Sequence, residues 1–218
     1  MSSFDPLAQG ARNHYREDEY FSLNVKNGVV RGPTGARVIT LPEELIAGLH
    51  IGLEEEAGAA AGTVLYECGK WWGKQFVRHH GLEVRHFYNC DTGDMPYYFF
   101  EQVLGNVWSL HGWGTVDFSF ELKDRGFIIV NVQNAMYSEV VGNIGRTSDH
   151  IVAGLLSAIG TDLAGCELEC VEIACRSKGD ARCSFLLGMG SRLTAVEDMV
   201  RGKRSRVEIV AELDKGAL

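Results

Sequence analysis

Apolar residues follow two rhythms along this chain. From Thr63 to about His79, Leu65, Cys68, Trp72 and Phe76 recur at spacings of three and four, the stripe of an amphipathic helix. From Pro96 to Leu110 the same period carries Tyr97, Phe100, Val103, Leu104 and Val107, with Pro96 suited to the first turn. The rhythm then shortens to two. Val116, Phe118, Phe120 and Leu122 share one face of Thr115–Leu122, and Phe127–Gln133 follows across Lys123-Asp124-Arg125-Gly126, which predicts an antiparallel hairpin. A helix from Asp149 to about Leu163, capped by Ser148, precedes a second hairpin, Cys166–Cys175 and Arg182–Leu187, turning at Lys178-Gly179-Asp180.

The two ends are less regular. Tyr20–Val25 and Arg37–Leu41 read as short strands beside Asn27-Gly28 and Gly32-Pro33, a hairpin or an extended arm. Thr40 is placed to cap a helix carrying Pro42, Glu43 and Glu44 and running to about Glu56, where the Gly/Ala stretch 57–62 breaks it. Leu193–Arg201 and Val207–Leu213 read as helices joined by the basic segment Arg201-Gly202-Lys203-Arg204. The sum is an α+β fold, helices packed on an antiparallel sheet. It divides into an N-terminal arm or hairpin (1–40), a main domain (41–190) and a C-terminal helical extension (191–218).

Composition narrows the function classes. The 218 residues carry 21 Lys and Arg against 29 Asp and Glu, a net charge of −8, so no basic surplus is available to neutralise nucleic-acid phosphates. No apolar run reaches the roughly 18 residues of a membrane span. The start, Met1 to Pro6, lacks the basic and apolar regions of a secretory signal, so the expected location is cytoplasmic. Catalytic signatures are thin: there is no G-x-S-x-G elbow, no Walker A sequence and no nicotinamide or flavin motif. His79-His80 is read as a solvated helix end, and Glu54-Glu55-Glu56 as a solvated face.

Six cysteines carry the strongest local signal, because four of them, Cys166, Cys170, Cys175 and Cys183, crowd into one stretch. If the last hairpin reverses about Gly179, Cys175 and Cys183 fall opposite each other, where β-carbons lie roughly 4.5–5.5 Å apart. Three readings are open for that pair: a shared metal ion, two buried thiols acting as small hydrophobes, or a disulfide. Glu172, three residues upstream, joins them only if the strand bulges.

The segment from Gly154 to Phe185 resembles the 4-vinyl reductase domain family, which includes bacterial hydrocarbon- and phenol-sensing domains. The resemblance rests on Gly154-Leu155-Leu156-Ser157, Glu172-Ile173-Ala174-Cys175, Lys178-Gly179-Asp180 and Cys183-Ser184-Phe185. Upstream, Leu65-Tyr66-Glu67-Cys68-Gly69-Lys70-Trp71-Trp72-Gly73 is similar to the family's glycine-spaced first helix. The resemblance spans roughly 60–190. It implies a ligand-binding fold of the NO-signalling and Golgi-transport type, similar in architecture to TRAPP tethering-complex subunits, and pairing as a homodimer.

It also implies a structural zinc held by Glu172, Cys175 and Cys183. The family's fourth ligand is a cysteine at the start of the preceding helix; here that position falls at Asp149, with His150 as the alternative. Beside the ion the family has a ligand cavity. Candidate lining residues here are Tyr66, Trp72, Phe76, Tyr97, Phe100, Trp108, Trp113, Phe118 and Phe120, with His111, Tyr137 and His86 as polar anchors. The implied function is capture of a small apolar or aromatic molecule, with a tetrapyrrole as one candidate. The alternatives are an enzyme or accessory subunit in (bacterio)chlorophyll 4-vinyl reduction and a non-catalytic adaptor; a self-sufficient enzyme is disfavoured.

Overall fold

A computed structural model describes residues 14–16 and 20–216, so the start of the N-terminal arm, including Met1 to Pro6, lies outside the described residues. Three short strands open it: β1 (Ser22–Asn24), β2 (Val29–Arg31) and β3 (Arg37–Val38), antiparallel in the order β1-β2-β3. Asn27-Gly28 makes the first turn: Asn27 N–H donates to the Asn24 side chain at 3.1 Å, and Gly28 takes φ 61°. Helix α1 (Glu43–Ala57) follows. Pro42 occupies its cap position and no side chain caps it, so the Thr40 cap expected from sequence does not form.

Helix α2 (Ala61–Tyr88) does not stop near His79. Val84 and Tyr88 continue its buried stripe, and the helix ends only where Asn89 turns left-handed at φ 52°. Next come α3 (Tyr97–Leu110), β4 (Thr115–Ser119) and β5 (Ile128–Gln133), then a short helix, α4 (Met136–Val141), that no sequence pattern foretold. Because β4 ends at Ser119, its expected four-residue face divides: Val116 and Phe118 pack on one core and Leu122 on another. The remaining elements are α5 (His150–Ala164), β6 (Glu169–Ala174), β7 (Cys183–Gly188), α6 (Gly190–Arg201) and α7 (Arg206–Asp214).

The main sheet is antiparallel in the order β4-β5-β7-β6. Its two central strands are apolar on both faces because both are covered, as the period of two requires. Val130, Val132, Phe185 and Leu187 pack toward helices α2, α3 and α5. Ile129, Ile173 and Leu186 meet Leu193, Val196, Ile209 and Leu213 of α6 and α7 on the opposite face. Helix α7 is started by a reciprocal Ser205–Glu208 capping box, a device worth about 1 kcal/mol.

Helices α2 and α5 approach closely because both carry glycine where they cross. A Cβ at Gly69 would collide with the Ile151 carbonyl, and one at Gly154 with the Tyr66 carbonyl. This contact seats the start of α5 over the sheet. The fold is therefore α+β, with antiparallel sheets and packed helices, as the sequence implies.

Candidate metal centre and ligand cleft

The β6–β7 hairpin delivers three donors to one point. The pairing shifts register between Glu172 and Ala174, and this irregularity lets Glu172 and Cys175 serve the same site despite their odd spacing. Cys175 leaves β6 in extended conformation, a turn over Arg176–Lys178 reverses the chain, and Gly179 closes it at φ 101°, which glycine adopts without strain. Cys183 then opens β7. The fourth donor is Asp149, at the cap position of α5, whose side chain does not cap that helix.

Ligand atoms of Asp149, Glu172, Cys175 and Cys183 all lie within 4.8 Å of one another, and all four residues are buried. The two Sγ atoms are 4.0 Å apart with both thiols free. Two thiolates on one tetrahedral zinc, each at about 2.3 Å, would stand about 3.8 Å apart. His150 is not in the group; its ring lies against Gly62 at the start of α2.

The polar balance of this cluster is lopsided. Cys183 donates to Asp149 Oδ2 at 3.0 Å, and Ser138 N–H donates to Asp149 Oδ1 at 3.0 Å. Asp149 N–H donates to Glu172 Oε2 at 3.1 Å, while Glu172 Oε1 is buried with no hydrogen-bond partner. Arg176 N–H reaches Cys183 Sγ at 3.4 Å, Ser138 Oγ lies 3.2 Å from the same sulfur, and Ser177 Oγ lies 2.9 Å from Cys175 Sγ.

Burial raises the Asp149 carboxyl to about 6. Burial, and then the neighbouring Asp149 charge, pushes Glu172 up as well. The hydrogen bond between the thiols splits the sulfur pair: Cys175 is held low as the acceptor and Cys183 high as the donor. Four acidic groups crowded out of water can keep protons or share a cation. An orphaned carboxylate oxygen, two thiols at zinc-like separation and backbone N–H groups already turned onto the ligands fit a divalent ion. The group could hold a metal.

A cleft of about 1490 Å³ opens on the other side of α4. Its walls come from residues 32–46, from α2, from the end of α3 and from α4. Of the residues the sequence offered for a pocket, Trp72, Phe76, His111 and Trp113 line it. Trp72 and Phe76 both meet the Trp113 ring edge-on, at 4.8 Å and 5.7 Å. Burial depresses the His111 pKa, and its Nδ1 lies 2.8 Å from the Val107 carbonyl.

The other candidates lie elsewhere. Phe100 borders a small separate void, and Trp108 is fully buried, donating its indole N–H to the Trp113 carbonyl at 2.9 Å. Phe118 packs into the core from β4, and Tyr97 meets Phe120 edge-on at 4.8 Å on the outside of α3. The Tyr66 hydroxyl donates to Glu169 and accepts from Cys170 N–H. Tyr137 pairs with His50 Nδ1 at 3.2 Å, and His86 is exposed.

A second buried polar cluster borders the cleft and was missed from sequence. The Glu83 carboxylate accepts from Tyr15 at 2.6 Å, from Tyr20 at 3.0 Å and from His14 Nε2 at 3.3 Å. Burial pushes Glu83 up, but those three donors outweigh it and hold the carboxyl below its ordinary range. Tyr15 gives its proton to Glu83, so its oxygen accepts from His80 Nδ1 at 2.9 Å. Burial takes the His80 pKa down to about 4, keeping the ring neutral. His80 is thus an interior residue, not the solvated helix end expected, because α2 runs two further turns beyond it. The signal was present as His80 and Glu83 one helical turn apart. Glu54 likewise is not merely solvated; it pairs with Arg146 at 2.5 Å and His50 at 3.2 Å.

Residues 128–189, which contain all four donors, match the family model of the 4-vinyl reductase domain. No curated protein matches the chain. Among solved structures, the phenol-responsive sensory domain of the transcription activator PoxR with phenol aligns at TM-score 0.63 and 14% identity, covering 84% of this chain and 90% of that one. Subunit 3 of the trafficking protein particle complex from Naegleria fowleri, covalently bound to palmitic acid, aligns at TM-score 0.50 and 16% identity, covering 67% and 93%. A vinyl-4-reductase family protein from Methanocaldococcus jannaschii aligns at TM-score 0.46 and 15% identity, covering 69% and 82%. The resemblance read from the sequence is thereby met: residues 128–189 match the 4-vinyl reductase domain, in a chain whose fold is shared with that sensory domain.

Proposed function

We propose that this protein binds a small apolar or aromatic molecule in the cleft walled by Trp72, Phe76 and Trp113, and that Asp149, Glu172, Cys175 and Cys183 hold a structural zinc ion. The observation that carries this reading is the juxtaposition itself: a cavity of about 1490 Å³ with an aromatic wall, one short helix away from a buried four-donor group. When bound, zinc would cross-link the last hairpin to the start of α5. With four protein donors it has no open position for water, which suits support and not catalysis.

The cleft is ample for a substituted arene or a tetrapyrrole. Its charged lining residues are Arg37, Glu43, Glu83 and Glu139, an acidic balance that favours uncharged ligands over carboxylates. In this reading 41–190 is the binding unit, the arm before it supplies one cleft wall, and the helices after it cover the sheet. The phenol held by the PoxR sensory domain supports a small aromatic ligand here. No described helix is long and apolar enough to cross a membrane.

The test is elemental analysis and native mass spectrometry of full-length protein purified without added metal. One zinc per chain and a co-purified organic molecule are expected. A folded chain without metal or ligand, which also binds no aromatic probe, would contradict the reading and leave the adaptor alternative. Cofactor-dependent turnover of a vinyl tetrapyrrole would favour the enzymatic one.

A further inference from the structure

Helix α4 touches both sites at once. On one side Met136, Glu139 and Val140 line the cleft. On the other, Ser138 donates its N–H to Asp149 Oδ1 at 3.0 Å and sets its hydroxyl 3.2 Å from Cys183 Sγ. Glu139 is tied to Arg176, the residue after Cys175, by an ion pair at 3.0 Å, and Arg176 N–H reaches Cys183 Sγ. Tyr137 links the same helix to α1 through His50.

A six-residue helix is too short to be stable by itself, so its position is set by what it touches. We infer that α4 couples the two sites: an ion on the four-donor group fixes the cleft wall, and a molecule in the cleft strengthens retention of the ion. This inference rests on the proposed reading of both sites.

The physical reason lies in the two Ser138 bonds. With a cation present, Asp149 and Cys183 are both anionic and locked in place. Ser138 then donates two charge-assisted bonds, which are shorter and stronger than neutral ones. Without the cation Cys183 keeps its proton and spends it on Asp149, and the hold on α4 weakens. Met136, Glu139 and Val140 then become a looser wall, and a ligand must order them on binding. Linkage makes the effect reciprocal: the factor by which zinc tightens the ligand equals the factor by which the ligand tightens zinc. Ser138 is a positioning residue in this scheme, since it neither ligates the ion nor lines the cleft.

The probe is phenylnaphthylamine, an uncharged fluorescent aromatic, titrated into full-length protein with zinc bound and after zinc removal by dipicolinate. Zinc is expected to tighten the probe by about tenfold, and saturating probe to tighten zinc against dipicolinate by the same factor. In Ser138→Ala, zinc stoichiometry is kept while both factors shrink together. Equal probe affinity with and without zinc, in a metal-free chain that keeps its circular dichroism, would overturn the coupling while leaving the cleft reading intact. Should the metal-free chain unfold, the zinc-loaded variant decides: weaker probe binding with easier zinc loss supports the coupling, and wild-type values for both overturn it. No probe binding to the zinc-loaded wild type overturns the cleft reading and the coupling with it.

Discussion

Two buried polar clusters flank the middle of this molecule and solve the same problem differently. At Glu83, one carboxylate is surrounded by the donors of Tyr15, Tyr20 and His14, and its charge is satisfied within the protein. At Asp149, Glu172, Cys175 and Cys183, four acidic groups meet, few donors reach them, and one carboxylate oxygen has no partner at all. Burying a charge is tolerable only when it is paired or hydrogen-bonded. The first cluster is complete as it stands and works as a clasp between the N-terminal segment and α2. The second is complete only with protons or with a cation. That contrast separates a structural network from a metal centre more reliably than residue type does, since both are rich in ionisable side chains.

The contrast breaks first at the sulfurs. Cys175→Ser and Cys183→Ser are each expected to abolish zinc retention and to cost about 3–5 kcal/mol, seen as a fall of ~10 °C or more in the thermal midpoint. Midpoints unchanged from a zinc-loaded wild type would mean that the pair is plain core. Glu172→Gln retains an oxygen donor, so it should weaken zinc against a chelator by less than either cysteine change; equal metal content in all three variants would defeat the ligand assignment.

At the other cluster, Glu83→Gln should leave zinc untouched and destabilise by about 1–3 kcal/mol, because an amide cannot accept three donors as the carboxylate does. Its pH signature is specific. The Glu83 carboxyl is held below its unfolded value, so the stability it contributes is present above that value and lost as pH falls through the folded one. Wild type should therefore weaken below about pH 4.5 more steeply than Glu83→Gln, and parallel acid limbs in urea titrations would show that the clasp carries no linkage. Tyr20→Phe removes one donor of three and should cost about 1 kcal/mol, read as a shift in urea midpoint with unchanged slope.

These two clusters were not equally legible in the sequence. Glu172, Cys175 and Cys183 are near neighbours along the chain, bridged by a turn that Gly179 announces, so local pattern alone brings them close. The bulge that brings Glu172 into reach depends on how β6 pairs with β7, and a linear reading could only state it as a condition. The Glu83 cluster joins residues more than sixty positions apart, and no local spacing encodes that contact. It was hidden further by His79-His80, a polar pair that looks like a helix end yet sits inside α2.

The helices and the last two hairpins followed from period and turn residues. Helix α4 did not, because six residues carry too little periodicity to register and tertiary contacts alone hold it. The glycines of α2 and α5 were visible as spacing, but their purpose, letting two backbones touch, appears only in three dimensions. The pocket residues divided for a similar reason: aromatic stripes mark burial, and only the packing decides which rings face a cavity.

The most direct test of the four-donor group is X-ray absorption at the zinc edge on protein purified without added metal. A four-coordinate ion with two sulfurs at about 2.3 Å and two oxygens near 2.0 Å is expected, with the sulfur shell lost in Cys175→Ser. A zinc spectrum lacking sulfur, or a folded protein with no metal to measure, would contradict it.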